Sequence, residues 1–172
     1  MEHLQYPVGK FQFKDEYTSA ELKGFIHDFT VLPGEMKKIT DGMSPEHLQR
    51  SYRNGGWTAA QVVHHVAESH MNFYIRAKLA LTEDTPIIKP YSQDKWAEAP
   101  DSKSHEIEAS MDVIKGIHKK IVMLLKDLSA EEWERKFYHP DSKRHIKIKQ
   151  VAALYSWHFK HHLEHLKMCA GK

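Results

Sequence analysis

The chain has one cysteine, Cys169, in 172 residues. A lone thiol forms no internal disulfide and provides no zinc-knuckle spacing, which fits a reducing compartment. No run of about 18 apolar residues occurs. The start, Met1-Glu2-His3-Leu4-Gln5-Tyr6-Pro7, has neither the basic opening nor the apolar stretch of a signal peptide. These absences lead to the expectation of a soluble, cytoplasmic protein. Charge is balanced, with 25 Lys and Arg against 23 Asp and Glu, interspersed and summing to +2. That leaves no basic footprint for a phosphate backbone, so nucleic acid is not an expected partner, and no membrane partner is expected either. The absence of His-Glu-x-x-His excludes the helix-borne zinc-protease arrangement with its built-in glutamate base. At 41% hydrophobic content, the chain is long enough to bury a core without staples, and a single domain over residues 1–172 is expected.

Apolar residues recur at helical spacing in four long segments. The first runs from about Ser19 to Ile39 through Leu22, Phe25, Ile26, Phe29, Leu32 and Met36, with Thr18 and Glu21 as a capping box and Pro33 as a kink. The second starts after Gly55-Gly56, with Thr58 as N-cap, Gln61 completing the box and Trp57 stapling onto Val62, and continues to about Thr82. The third spans roughly Ser104 to Leu128 and the fourth about Ile148 to Met168. The fold class expected is all-α, an antiparallel four-helix bundle with long connecting loops. Asp84 to Tyr91, with two prolines, must cross the bundle as an extended loop. The one place for strand is a short hairpin around Pro140-Asp141-Ser142. Met43 to Tyr52 also parallels Leu128 to Phe137, and each stretch leads into a histidine-bearing helix, as two helix pairs related by a pseudo-twofold would require.

The fourth helix holds four histidines, His158, His161, His162 and His165, within eight positions. At about 100° per residue they fall in a single arc and continue the stripe of Val151, Leu154 and Tyr155. Lys149, Ser156, Lys160, Glu164 and Lys167 lie opposite and read as the solvent face. A His-x3-His pair alone is weak evidence, since histidine-rich surface helices also exist. Imidazoles aimed at a core need partners, however, and neutral imidazole is the commonest transition-metal ligand. In the second helix His65 shares a face with Ser69, Asn72 and Arg76 at spacings of four, seven and eleven. Taken alone, Ser69 and Arg76 read as a solvated face.

One histidine of the second helix together with the His158/His162 pair gives three neutral nitrogens facing the bundle interior. Three protein ligands with an open fourth position is the catalytic zinc pattern, whereas structural sites close with four. Zn²⁺ and Ni²⁺ both accept imidazole. His161 and His165 remain as alternates or supporting groups. His64 lies about 100° around the helix from His65, so the two cannot face one ion. His70 and His105 carry no expected role.

The stretches Tyr6-Pro7-Val8-Gly9-Lys10-Phe11, Gly55-Gly56-Trp57-Thr58-x-x-Gln61-Val62-Val63-His64-His65-Val66-Ala67, Arg76-x-Lys78-Leu79-Ala80-Leu81-Thr82-Glu83, Ile88-Lys89-Pro90-Tyr91 and Tyr155-x-Trp157-His158-x-x-His161-His162 closely resemble the YfiT-like branch of the DinB superfamily, over nearly the whole chain. That resemblance implies a four-helix bundle, usually dimeric, with a three-histidine site for zinc or nickel. By motif, the ligands fall on His65, His158 and His162. It implies a metal-dependent hydrolase acting on a small molecule. Relatives in the wider superfamily use small cellular thiols, so a metal-dependent thiol S-transferase is the alternative, and a non-catalytic metal- or ligand-binding bundle is a third. Glu68 and Gln93-Asp94 stand where relatives often have an aspartate and an acidic pair. No residue is assigned as general base.

Overall fold

The computed structural model describes residues 2–171, so Met1 and Lys172, the ends of the expected domain, lie outside the described residues. The elements run α1 (Glu2–Gln5), α2 (Ser19–Asp41), α3 (Pro45–Gln49), α4 (Ala59–Thr82), α5 (Gln93–Ala97), α6 (Glu108–Leu125), α7 (Ala130–Glu134), β1 (Lys136–His139), β2 (Arg144–Lys147) and α8 (Ile148–Cys169). Each of α2 and α4 packs against both α6 and α8, closing a four-helix bundle. The strand expectation holds: β1 and β2 form an antiparallel hairpin with Phe137 opposite Ile146. The loop after α4 stays extended, and Ile88 N–H donates to the Tyr138 carbonyl at 3.1 Å. Among the described residues no helix is long and apolar enough to cross a membrane.

The helix starts are written locally. Thr18 with Glu21 and Thr58 with Gln61 both close as reciprocal capping boxes. The third long helix is shorter than its apolar spacing predicts, because side-chain partners compete for its first turn. The Ser104 carbonyl lies 2.9 Å from His64 Nε2, and Ser104 Oγ accepts the Glu106 N–H, so the helix begins only at Glu108.

The strip of α8 expected to face solvent is covered in its first half, at Lys149 and Ser156, while Lys160 is exposed and Glu164 and Lys167 are partly so. Lys149 is 2% exposed and pairs with Glu16 and Glu134, while Ser156 donates to Asp28 of α2. The segment before α2, with α2 itself, wraps that side, and Gln150 Nε2 donates to the Lys14 carbonyl at 3.0 Å.

The internal repeat is visible in hydrogen bonds. Ser44 and Ser129 each cap a five-residue helix. The first N–H of α4, at Ala59, donates to the Arg50 carbonyl, and the first N–H of α8, at Ile148, donates to the Arg135 carbonyl, at 3.1 and 2.9 Å. The two arginines then exchange helix ends. Arg50 donates to the Cys169 carbonyl at the end of α8, and Arg135 donates to the Ala80 carbonyl near the end of α4. A guanidinium satisfying carbonyls that have no helical partner is a C-terminal cap in each case. These reciprocal caps bring α4 and α8, which carry the histidines of interest, together in register.

Two apolar clusters fill the bundle, one including Met36, Val63, Val66, Ile114, Phe159 and Leu166, the other Phe29, Phe73, Ile121, Leu125, Ile148 and Val151. His70 and His118 meet Phe159 of the first cluster and Phe29 of the second, so buried imidazole sits at the seam between them.

Candidate metal centre

His65 of α4 meets His158 and His162 of α8 inside the bundle. One potential ligand atom from each lies within 4.8 Å of the other two, and the Nε2 atoms of His65 and His158 are 3.0 Å apart. Trp57 joins the apolar cluster around Val62 and also lies 4.6 Å from the His65 ring, covering the group from the helix start. Burial pushes His65 down to about 4 and holds His158 and His162 well below the ordinary histidine value. At neutral pH all three are therefore uncharged, and each has one lone pair to offer.

The partners of the other ring nitrogens decide where those lone pairs point. The Phe29 carbonyl in α2 has no helical donor, because residue 33, four positions on, is Pro33 and has no N–H. His118 Nδ1 occupies that carbonyl at 3.0 Å. A carbonyl only accepts, so Nδ1 of His118 bears the hydrogen and its Nε2 accepts. His70 Nδ1 donates to that Nε2 at 3.1 Å, and His158 Nδ1 donates to His70 Nε2 at 3.3 Å. A second chain ends at the Leu4 carbonyl, which accepts from His165 Nε2 at 3.1 Å. His162 Nδ1 then donates to His165 Nδ1 at 3.3 Å. Both chains place the hydrogen on Nδ1 of the ligand candidate and leave its Nε2 as the acceptor. Backbone carbonyls thus set the tautomers of His158 and His162 through intervening imidazoles.

A second trio, His161, His162 and His165, is also compact. Both ring nitrogens of His165 are already engaged, and its ring stacks on Tyr52 at 3.8 Å. His161 lies flat on Trp157 at 4.7 Å. In this geometry His165 supports His162, and His161 packs beside it. His64 turns away, with Nδ1 2.8 Å from Ser110 Oγ, as its helical position requires. Neither compact group includes a carboxylate. Glu68 accepts from Ser102 Oγ at 2.8 Å, and burial raises its pKa.

A cavity of about 230 Å³ reaches this cluster along His158. Ser69 and Arg76 line it and are buried, contrary to the solvated face they suggest in isolation. Tyr91, from the extended loop, and His139, at the end of β1, form further walls.

The sequence pattern of the DinB superfamily matches residues 29–166. The chain belongs to this superfamily. Within it, a protein of Oceanobacillus iheyensis named "Putative metal-dependent hydrolase" is 45% identical, over 98% of this chain and 97% of its own length. A Bacillus cereus protein of the same description is 44% identical, over 96% and 95%. The structure of YfiT from Bacillus subtilis, described as "a probable metal-dependent hydrolase with an unusual four-helix bundle topology", superposes with a TM-score of 0.95 at 37% identity, covering 98% of this chain and 97% of that one. The bundle topology and the YfiT-like branch of the DinB superfamily expected from the motifs are thereby established. A mycothiol-dependent maleylpyruvate isomerase shares the fold at a TM-score of 0.67 and 14% identity, over 88% of this chain and 63% of that one.

The sequence reading missed His70 and His118. Each is separated by tens of residues from the group it serves, and the single local signal was Pro33, whose freed carbonyl anchors the chain.

Proposed function

We propose that the protein is a metal-dependent hydrolase in which His65, His158 and His162 hold one divalent cation, zinc by preference and nickel as the alternative. The reading includes a cytoplasmic homodimer acting on a small molecule. The observation that carries it is the pair of imidazole chains, which leave the Nε2 lone pairs of His158 and His162 free beside His65, whose own Nε2 lies 3.0 Å from that of His158. The donor set fits such an ion. At metal–nitrogen distances of about 2.0–2.1 Å, ligand nitrogens stand roughly 3 to 3.4 Å apart, and the His65–His158 separation is 3.0 Å. The relatives' names support metal dependence.

When bound, the ion supplies Lewis acidity able to acidify a water or a thiol and to polarise a carbonyl. The chain's own residues do the rest. Trp57 and the two apolar clusters exclude bulk water from the far side of the cluster, leaving approach along His158. Burial pushes the Tyr91 hydroxyl up to about 12, so it stays protonated as a donor on the cavity wall. The three imidazoles stay neutral and available as ligands.

Zinc-loaded protein should turn over members of an ester and amide panel in water alone, and a chelator should abolish that turnover while the far-ultraviolet helix signal persists. The apolar clusters give the bundle a core of its own, whereas a structural metal's binding energy is folding energy. Activity that appears only with added thiol would move the reading to thiol transfer. Loss of helix along with the metal would make the site structural.

The chains make a further prediction. His70→Ala should weaken zinc binding about 10- to 100-fold, the usual cost of removing a ligand's orienting partner. Nitrogen chemical shifts of His158 should show the Nδ1–H tautomer in the parent and a mixture in the variant. An unchanged His158 tautomer in a folded His70→Ala protein would rule out the orienting role.

A further inference from the structure

We propose that the cavity beside the histidine cluster holds the carboxylate of an extended monocarboxylate substrate, with Arg76 as its anchor and His139 beside it. Arg76 follows His65 by eleven residues on α4, three turns along the same face and about 16 Å along the axis. Its side chain is 8% exposed and lines the cavity, yet its guanidinium makes no hydrogen bond or ion pair with any described residue, and its Nε is buried without a partner. Guanidinium stays charged at any accessible pH. A buried charge without a counter-charge is costly enough that folded proteins pair it. Among the described residues no carboxylate pairs with it, although Asp141 lines the same cavity, so the guanidinium is open to an anion from outside.

The surroundings narrow its chemistry. His139 presents a buried Nδ1 with no partner on the same cavity. The Asp141 carboxylate, in the exposed hairpin turn, also lines the cavity but forms no ion pair with Arg76, and it disfavours a second negative charge nearby. A single planar cation facing one anionic group suits a carboxylate, whose two oxygens match the guanidinium fork. Pro90, Leu154 and Tyr155 supply apolar wall for the rest of the ligand, and His158 lines the same cavity. A molecule anchored at Arg76 therefore extends along α4 to bring a more distant bond to the cluster. That last step rests on the metal-dependent reading above, whereas the anion site stands on Arg76 and its cavity.

The test uses chelator-treated, full-length protein, with hexanoate and its neutral isostere hexanamide as probes in calorimetry or ligand-observed NMR. Hexanoate should bind about tenfold or more tightly than hexanamide, the range of a charge-assisted hydrogen bond. Arg76→Gln should remove that difference and leave hexanamide binding unchanged, while Arg76→Lys should keep part of it. Without ligand, Arg76→Gln should have a raised Tm, because it removes an unpaired buried charge. A lowered Tm would mean that the arginine is structural and would overturn the proposal. Equal binding of the two probes to the parent protein would overturn it without any variant, so failure of Arg76→Gln to fold leaves the test intact. Inorganic phosphate binding ahead of hexanoate would overturn the assignment to a carboxylate. Because the measurements are made without metal, a protein that fails to take up zinc but still prefers hexanoate loses the metal reading and keeps the anion site.

Discussion

Replacing His65, His158 or His162 by alanine is expected to abolish stoichiometric binding of zinc, with each variant still folded, whereas His105→Ala and His64→Ala retain it. His105 is exposed, and His64 faces Ser110 and Ser104, away from the cluster. The expected loss exceeds the 10- to 100-fold associated with an orienting partner such as His70, about one to two orders of magnitude, because a three-nitrogen set reduced to two no longer closes around an ion. Metal analysis of the purified variants, with circular dichroism to confirm the fold, decides the matter. Full occupancy in His65→Ala would remove α4 from the site and leave the histidines of α8 to explain it. Full occupancy in His158→Ala would be harder still to accommodate, since His158 is the one cluster residue that also lines the cavity.

The long helices were legible because periodicity and capping are local. Thr18 with Glu21 and Thr58 with Gln61 mark their starts within four residues. The third helix was read too long because Ile107 and Leu128 keep apolar spacing, while the interactions that hold Ser104 outside the helix include one from His64, forty residues away in sequence. The same distinction governs the site. His158 and His162 are one turn apart, so their common face could be read directly. Helical spacing placed His65 on a polar stripe, but only the family motif chose it as the ligand. The supporting chains could not be read at all, since His118 reaches Phe29 across 89 positions and His70 across 48. Pro33 suggested a bend, and its larger consequence is the carbonyl it leaves free. Ser69 and Arg76 illustrate the converse. Polar residues at helical spacing suggest solvent until the extended loop and the hairpin are seen to roof them.

Acidification is expected to unfold the metal-free protein cooperatively. Burial holds His65, His118, His161 and His165 down to about 4 and His70, His158 and His162 well below the ordinary 6.5. In the unfolded chain each ring takes up its proton near 6.5, while in the folded chain His65, His118, His161 and His165 stay neutral until about 4 and His70, His158 and His162 stay neutral well below 6.5. Between those values the unfolded state binds more protons, so stability falls as pH falls, and the contribution is intact above 6.5. Each ring that takes up a proton only on unfolding removes on the order of 1 kcal/mol per pH unit in that window, and rings in contact titrate together. Several acting together approach the whole stability of an ordinary domain, about 5–15 kcal/mol. The helix signal of chelated protein should therefore be lost in one transition between roughly pH 6 and pH 4. Zinc should move the midpoint to lower pH, because protons must then displace an ion that binds only the folded, neutral ligands. Circular dichroism titrations with chelator and with zinc measure both effects. A chelated protein that keeps its full helix signal to about pH 3.5 would mean that the fold tolerates charged imidazoles. The neutral chains anchored at Phe29 and Leu4 would then no longer account for how His158 and His162 are held.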